Sequence, residues 1–287
     1  MLIGKVAAAP AGLFGNNFNN ELTDTARNEL QSSLDGSGSY NTLASSAAVN
    51  SPTPHKTPIE AGAYITRDNY TWNTALGVPA TINYAFRATT SSYATAGHNS
   101  QSTFAEFNAT QIDAANLILS LWSDVANITF NRVGTGNSGA VAYSDNATIL
   151  LGNYSDPSDA SGAFSYYPSP NATASTQAPG DVWDNAYYNT NTDPTVGSYG
   201  WSTLLHELGH TLGLEHPGNY NAAPGVSITY AQNASYVEDS RQYTVMSYFE
   251  AFNTGANHVY DGTMYAATPL LDDITALQRL YGRAVQR

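Results

Sequence analysis

Hydrophobic residues recur along the chain at two spacings, and each spacing predicts a different kind of element. Spacings of three and four residues run through residues 109–126, which predicts an amphipathic helix. Its apolar face is formed by Ile112, Ala115, Leu119, Trp122 and Val125. Asn108 and Gln111 have the spacing of a capping box, so the helix is expected to begin directly after Asn108.

Three other segments show the helical spacing. Residues 22–35 predict a short helix near the N-terminus, and residues 199–212 predict a long helix in the second half of the chain. Residues 269–282 predict a last helix, with Pro269 in its first turn and Gly282 at its end.

Alternation of apolar and polar residues predicts short strands between these helices. The predicted strands are residues 63–72, 80–87, 127–133, 148–154 and 163–167. Loops rich in Asn, Asp, Ser and Pro separate them, and residues 36–58 are expected to form a loop or tether. Residues 1–20 are rich in Ala, Gly and Asn and are expected to lack regular structure.

Composition narrows the function of this chain of 287 residues. Only 11% of the residues are charged, the net charge is −13, and Lys5 and Lys56 are the only lysines. This balance argues against binding to nucleic acid or to anionic membrane surfaces, which require clusters of Lys and Arg. No apolar run reaches the ~20 residues that span a bilayer. The chain has no cysteine, so disulfides, thiolate metal sites and cysteine nucleophiles are excluded.

Three of the six histidines lie within the eleven-residue stretch HELGHTLGLEH. His206 and His210 are four residues apart on the predicted helix, so their imidazoles point from the same face and can bind one Zn²⁺. Glu207 can reach a water on the open side of such a metal, as in the H-E-x-x-H motif of zinc proteases. Gly213 allows the helix to end and the chain to turn back, and His216 then completes three-histidine ligation.

The long form of this motif is stronger evidence for a zinc site than the short form. The short H-E-x-x-H pattern occurs by chance, and a buried histidine is more often a core residue than a ligand. The longer pattern fixes five positions, which makes chance a poor explanation. Three protein ligands leave a fourth position open for water, which is typical of a catalytic rather than a structural zinc site.

The extended motif resembles that of the metzincin metalloproteases. Met246, in the stretch YTVMSY, matches the methionine turn of that family. Pro217, directly after the third histidine, and Tyr248 are features of its serralysin group. Further similar stretches are residues 63–73, 121–130, 151–155, 210–222 and 268–282. The resemblance extends in order over residues 60–282, so the chain is identified as a member of the serralysin-type bacterial zinc metalloproteases.

This resemblance implies an α+β metzincin fold of the zincin-like type. Such a fold has a twisted mixed sheet, two long helices above the active-site cleft and a smaller, irregular C-terminal subdomain. Residues 59–287 would form the catalytic domain, with an upper lobe over residues 59–213 and a lower lobe over residues 214–287. Residues 1–20 would be a propeptide or a disordered N-terminus, and residues 21–58 an N-terminal helix and tether.

The same resemblance implies roles for the site residues. Glu207 would act as the general base on a zinc-activated water, and Met246 would form an apolar floor beneath the histidines. Tyr248 would be a labile fifth zinc ligand that swings away when substrate arrives and then donates a hydrogen bond to the oxyanion.

Protein and peptide substrates would bind as an added strand against an exposed sheet edge. The residues expected at this edge are Ala163, Phe164, Ser165 and Tyr166. Main-chain pairing carries little side-chain information, so broad endopeptidase specificity is expected. Residues 248–253 would help to shape the pocket for the substrate residue that follows the cleaved bond.

The sequence departs from the serralysin pattern at its C-terminal end. Serralysins usually continue into an RTX β-roll that binds calcium and into an export signal, whereas this sequence stops at Arg287. We therefore expect no RTX domain in these residues and no export route encoded in them. The negative charge would favour a surface Ca²⁺ ion, but no ligands can be assigned to it. Because cysteine is absent, any latency must use another zinc ligand or steric cover.

The prediction is thus a secreted, extracellular bacterial zinc endopeptidase that acts as a monomer and that a small proteinaceous inhibitor could bind. Two alternatives stay open. One is a catalytically silent, metal-stabilised binding module or a zymogen-like form, although Glu207 is retained. The other is a zinc exopeptidase, which would need a pocket for a substrate terminus and fits less well with an open edge strand.

Overall fold

The structure is a computed structural model. It describes residues 5–7, 53–91, 103–159, 161–170, 179–223, 225–256 and 265–285. The helix predicted at residues 22–35 and most of the expected N-terminal segment lie outside these ranges.

A six-stranded sheet organises the described residues. Its strands are β1 (Lys5–Ala7), β2 (Ala80–Phe86), β3 (Ile128–Arg132), β4 (Ile149–Tyr154), β5 (Ala163–Tyr166) and β6 (Val182–Asn185). They lie in the order β1-β5-β6-β4-β2-β3. Strands β2, β3, β4 and β6 run parallel, whereas β5 runs antiparallel to both of its neighbours, β6 and β1. The sheet is therefore mixed and mostly parallel, as the fold class predicted.

The described ranges also contain six α-helices. They are α1 (Pro58–Tyr64), α2 (Ala109–Val125), α3 (Asn189–Thr192), α4 (Tyr199–Thr211), α5 (Tyr230–Asn233) and α6 (Leu271–Tyr281). The predicted capping box of α2 is confirmed: the backbone N–H of Gln111 donates to the Asn108 side chain at 2.9 Å, and that of Asn108 donates to the Gln111 side chain at 3.0 Å. The predictions of α2, α4 and α6 are confirmed to within two residues at each end.

Three predictions of secondary structure were wrong or incomplete. Residues 1–20 were expected to lack regular structure, but residues 5–7 form strand β1. Residues 63–72 were expected to form a strand, but the chain forms α1 and then a series of turns. The reason is a capping box, in which the Glu60 carboxylate accepts from the Thr57 backbone N–H at 2.8 Å, together with Pro58 at the start of the helix. Strand β6 was not predicted, because all of its residues are buried and its four residues show no alternation.

The main core lies where α2 and α4 pack on the sheet. Ile112, Ile118 and Trp122 of α2 are buried in one cluster with Leu204 and Leu208 of α4. Between residue 213 and the start of α6, the described residues form mainly loops and short helices. A second apolar cluster of Tyr220, Tyr248 and Phe249 lies in that region. The functional motif therefore begins on a packed helix and ends in loops. None of the helices in the described part of the chain is long and apolar enough to cross a bilayer.

Candidate metal centre

Helix α4 places the first two histidines of the motif on one buried face. The helix begins after Ser198, whose side chain accepts a hydrogen bond from the Trp201 backbone N–H at 3.2 Å. His206 and His210 follow one turn apart, and both are buried. Buried imidazoles require partners for both ring nitrogens, so the contacts of these nitrogens define the site.

The Nε2 atoms of the three motif histidines converge on one point. The distance between His206 and His210 Nε2 is 3.0 Å, and His216 Nε2 lies 3.1 Å from each of them. A tetrahedral ion bound at ~2.0–2.1 Å would hold its ligand nitrogens roughly 3.3 Å apart, so this spacing fits zinc. In the described ranges these three histidines are the only group of at least three His, Cys, Asp or Glu side chains that could hold a metal ion.

The other nitrogen of each imidazole fixes its tautomer. Each Nδ1 donates to a backbone carbonyl: that of Val245 for His206 (2.8 Å), Leu214 for His210 (2.6 Å) and Tyr220 for His216 (2.7 Å). With the proton on Nδ1, every Nε2 directs a lone pair toward the centre, and none can donate to another. Three acceptors that face one another are mutually unfavourable without a cation. The donor set therefore fits a metal ion whose three histidine ligands are oriented by backbone carbonyls.

Burial also keeps these imidazoles neutral, which is the state that binds metal. Desolvation lowers the pKa of His206 to about 4. Desolvation, followed by the charges of the neighbouring histidines, lowers the pKa of His210 well below its usual value. The pKa of His216 is lowered in the same way, by burial first and by His206 second.

Gly213 makes the turn that carries the chain from α4 to His216. Its φ of +101° lies in the region that side-chain-bearing residues rarely adopt. A Cβ at this position would also meet the Tyr70 carbonyl oxygen at 2.0 Å. The motif therefore needs glycine here for two separate reasons, conformation and close backbone approach.

Residues that follow α1 hold the end of the motif, and the sequence reasoning missed them. The Arg67 guanidinium donates to the His216 carbonyl at 2.9 Å and pairs with the Glu215 carboxylate at 3.2 Å. The backbone N–H of Asp68 donates to the same carboxylate at 2.9 Å, and that of Glu215 donates to the Ile65 carbonyl at 2.7 Å. The sole signal in the sequence was the position of Glu215 beside the third histidine.

Met246 lies directly beneath the histidine helix. Its side chain is fully buried, and its sulfur would be only 2.8 Å from a Cβ built on Gly209. The glycine between the first two histidines therefore lets the methionine approach the helix backbone. Gly209 belongs to the motif stretch, but sequence reasoning gave it no role.

Tyr248 and Pro217 also lie in this centre. The Tyr248 ring centroid is 4.6 Å from that of His216 and 6.0 Å from that of His206. Its oxygen accepts from the Ala222 backbone N–H at 3.4 Å. Burial, and secondly the charge of Glu207, raise the pKa of Tyr248 well above its usual value, so the group is a neutral phenol. Pro217 is buried next to the third histidine.

Glu207 faces β5 from helix α4. Its carboxylate accepts a hydrogen bond from the Ser165 hydroxyl at 2.5 Å, and its side chain is buried. Phe164 and Tyr166, on the other face of β5, pack into a separate aromatic cluster with Trp183. Of the four residues expected at the substrate edge, Ser165 is thus the one whose side chain reaches Glu207.

The edge formed by Ala163, Phe164, Ser165 and Tyr166 is not open in the structure. Strand β5 pairs with β6 on one side and with β1 on the other, and all four residues are buried. The expectation of an exposed edge therefore does not describe this state of the chain.

A small pocket opens beside the histidines. Its walls include Thr203 and His206 of α4, Arg241, and Tyr248. Of residues 248–253, which were expected to shape a substrate pocket, Tyr248 lines it. Arg241 is paired with the Glu250 carboxylate at 2.6 Å, so the pocket wall is polar without carrying an isolated charge.

Comparison with known proteins supports the interpretation of these residues as a metal centre. No family model matches the chain. The chain is 42% identical over 226 residues to Serralysin of Proteus mirabilis, covering 77% of this chain and 44% of that protein. It is 42% identical over 223 residues to Serralysin C of Dickeya chrysanthemi, covering 78% and 44% of the two. It is 38% identical over 232 residues to Metalloprotease AprA of Pseudomonas entomophila, covering 80% and 45%.

The chain spans less than half the length of these curated relatives. The similarity nevertheless covers more than three quarters of this chain and agrees with the resemblance drawn from the histidine motif. By this sequence similarity, the chain belongs to the serralysin-type metalloproteases.

Proposed function

We propose that this chain is a zinc-dependent endopeptidase that hydrolyses peptide bonds in extended protein substrates. The observation that carries the proposal is the convergence of three neutral imidazole nitrogens beside the buried carboxylate of Glu207. The names of the relatives, which are serralysins and metalloproteases, support the same activity.

His206, His210 and His216 would hold the zinc, and Tyr248 would be a displaceable fifth ligand. Zinc in such a site supplies Lewis acidity, which lowers the pKa of water toward ~7 and polarises a carbonyl. The carbonyls that accept from the three Nδ1 atoms keep the ligand nitrogens oriented and increase their basicity.

Glu207 would act as the general base. It would accept a proton from the attacking water and later deliver that proton to the leaving amine. The hydrogen bond from Ser165 restricts the carboxylate to one orientation, because it engages one oxygen from the β5 side. The Tyr248 phenol, which stays protonated, would donate a hydrogen bond to the developing oxyanion.

Substrates would pair as an added strand with β5 through main-chain hydrogen bonds, which select little for the side chains of the substrate. Ser165 lies in the middle of this strand and contacts Glu207, so a peptide on this edge would pass beside the general base. The pocket lined by Thr203 and Arg241 would receive the substrate residue after the cleaved bond.

We further propose that the protein acts outside the cell as a monomer, and that residues 59–287 form its catalytic domain. A small proteinaceous inhibitor would bind at the same cleft.

A catalytically silent binding module is the weaker candidate, because binding alone does not require the Glu207 carboxylate. The experiment that separates the two is casein hydrolysis by the 287-residue chain, with zinc content measured on the same sample. We expect one zinc per chain and cleavage that a chelator abolishes and added zinc restores. One bound zinc with no cleavage, even in a variant in which strand β1 can no longer pair with β5, would contradict the proposed activity.

Glu207→Gln tests the assignment of the base. The amide keeps the size of the side chain and can still accept from Ser165, so zinc content should be unchanged while turnover falls about 10²- to 10⁴-fold. Glu106→Gln, at an exposed carboxylate, is the matched control and should leave turnover unchanged. A Glu207→Gln variant with the wild-type rate would exclude Glu207 as the base.

A further inference from the structure

The strand β1 covers the outer edge of β5. Lys5 lies opposite Tyr166, Val6 opposite Ser165, and Ala7 opposite Phe164, in antiparallel register. The inner edge of β5 is already paired with β6, so β1 occupies the remaining hydrogen-bonding edge of the strand. This pairing joins residues that are more than 150 positions apart, and it is therefore not the local closure of a hairpin.

Strand β1 lies close to the candidate metal centre. Val6 is opposite Ser165, and the Ser165 hydroxyl is bonded to the Glu207 carboxylate. Strand β1 also lies next to helix α4, which carries His206 and His210. The backbone of residues 5–7 therefore runs along the side of β5 that leads to Glu207.

A sheet edge binds one strand at a time, since each backbone N–H and C=O of the edge has one partner in the ladder. A peptide substrate that adds to β5 needs the same backbone groups that β1 engages. The two strands are therefore mutually exclusive. Because β1 belongs to the same chain, its effective concentration at the edge is on the order of millimolar.

The length of β1 indicates that the cover is reversible. Only three residues pair, so the number of ladder hydrogen bonds is small compared with a longer substrate strand. Pro10 follows three residues after the strand and lacks the N–H needed to extend the ladder. The pairing is thus short enough to be displaced.

We propose that residues 5–7 are an intramolecular strand that occupies the peptide-binding edge of β5 and competes with substrates in cis. This inference rests on the proposed function for its consequence, which is a lower apparent activity of the chain. The chain has no cysteine to act on a metal, and a backbone strand needs none.

The test compares two triple variants in the full chain. Lys5→Pro/Val6→Pro/Ala7→Pro removes the backbone N–H groups of β1. Lys5→Thr/Val6→Thr/Ala7→Thr changes the same side chains but keeps those groups and the tendency to form a strand. We expect the proline variant to raise kcat/KM on a quenched-fluorescent peptide at least tenfold, mainly through KM. The threonine variant should match the unmodified chain, and zinc content should be equal in all three.

A binding measurement makes the result independent of activity. The probe is a fluorescein-labelled peptide with the sequence of residues 2–10, and Glu207→Gln is added to every protein to prevent cleavage. Anisotropy should show binding to the proline variant and at least tenfold weaker binding to the threonine variant and to the otherwise unmodified chain. Equal binding to all three, or binding to none, would overturn the proposal.

The two measurements also separate this inference from the proposed function. Peptide binding restricted to the proline variant, with no cleavage by any protein that retains Glu207, would support the strand pairing and contradict the protease assignment. Cleavage at the same kcat/KM by all three proteins would support the protease and overturn the competition.

Discussion

The metal centre has two sides that are built in different ways. On the helix side, His206 and His210 project from α4, which packs against α2 through buried leucines and a tryptophan. On the loop side, His216, Met246 and Tyr248 lie on segments with little regular structure. The helix side is positioned by apolar burial that many residues share, whereas the loop side depends on individual polar contacts.

Two buried carboxyl groups organise the loop side. Asp273 accepts from the Thr244 hydroxyl at 2.5 Å and from the Val245 and Leu270 backbone N–H groups at 3.0 and 2.8 Å. It thereby fixes the residue whose carbonyl orients His206.

Asp239 makes the second set of contacts on this side. It accepts from the Tyr220 hydroxyl at 2.9 Å and from the Ser247 hydroxyl at 2.7 Å. It thereby links the support of His216 to the turn that contains Met246. The comparison teaches that the loop side should be the more sensitive one to single polar substitutions.

The largest effect should come from the proposed zinc ligands, and it should be equal on both sides. His210→Ala and His216→Ala each remove one of three converging nitrogens, so zinc affinity should fall by about 10³-fold or more. This exceeds the roughly 10- to 100-fold loss expected when only a hydrogen-bond partner of a ligand is removed. Competition with a fluorescent zinc chelator measures this. A His216 variant that retained tight zinc would show that the loop side does not contribute a ligand.

Gly213→Ala tests the junction between the two sides. The new Cβ would lie 2.0 Å from the Tyr70 carbonyl oxygen at a φ of +101°, so we expect a loss of about 4 kcal/mol or more in the free energy of unfolding. Gly77→Ala is the matched control, because its φ is also positive (+74°) but no atom lies within 4 Å of the new Cβ. It should cost about 1 kcal/mol. Denaturant unfolding that gave equal losses would exclude the steric explanation.

Asp273→Ala and Leu204→Ala compare the two sides directly. Removing the carboxylate leaves buried N–H groups of Val245 and Leu270 without this acceptor, which should cost about 2–3 kcal/mol and weaken zinc binding about 10- to 100-fold. Leu204→Ala leaves a cavity in the main core and should cost about 2–5 kcal/mol with zinc affinity unchanged. The comparison fails if both variants lose zinc affinity to the same extent.

The smallest effect concerns pH, and the two sides should respond in opposite directions. Burial raises the pKa of Asp239 to about 7 from an ordinary value of 3.8, so its contribution to stability is present below pH 3.8 and is lost as the pH rises to about 7. Burial lowers the pKa of His206 from 6.5 to about 4, so its contribution is present above pH 6.5 and is lost as the pH falls to about 4.

Asp239→Asn should therefore change how stability depends on pH. In metal-free protein between pH 4 and 7, the variant should lose the part of the slope that corresponds to up to one proton. Urea unfolding at several pH values measures this slope. An unchanged slope would mean that Asp239 is ionised throughout this range.

The same contrast explains what could be predicted from the sequence. Helices α2 and α4 were predicted because apolar residues recur at helical spacing, and His206, Glu207 and His210 follow from one helical turn. Met246 and Tyr248 were assigned by resemblance, because loops have no periodicity that reveals which residues meet. Arg67, Asp239 and Asp273 were not given roles at the site, since their contacts join residues that are distant in sequence.

The close approach of Met246 to Gly209 has a chemical consequence. Oxidation of this methionine to the sulfoxide would add a polar oxygen to a sulfur that lies against the helix backbone, where a single carbon would already be only 2.8 Å away. The buried sulfur is shielded while the helix and the turn remain in contact. Its rate of oxidation by peroxide would therefore measure how often the helix and the turn that contains Met246 separate.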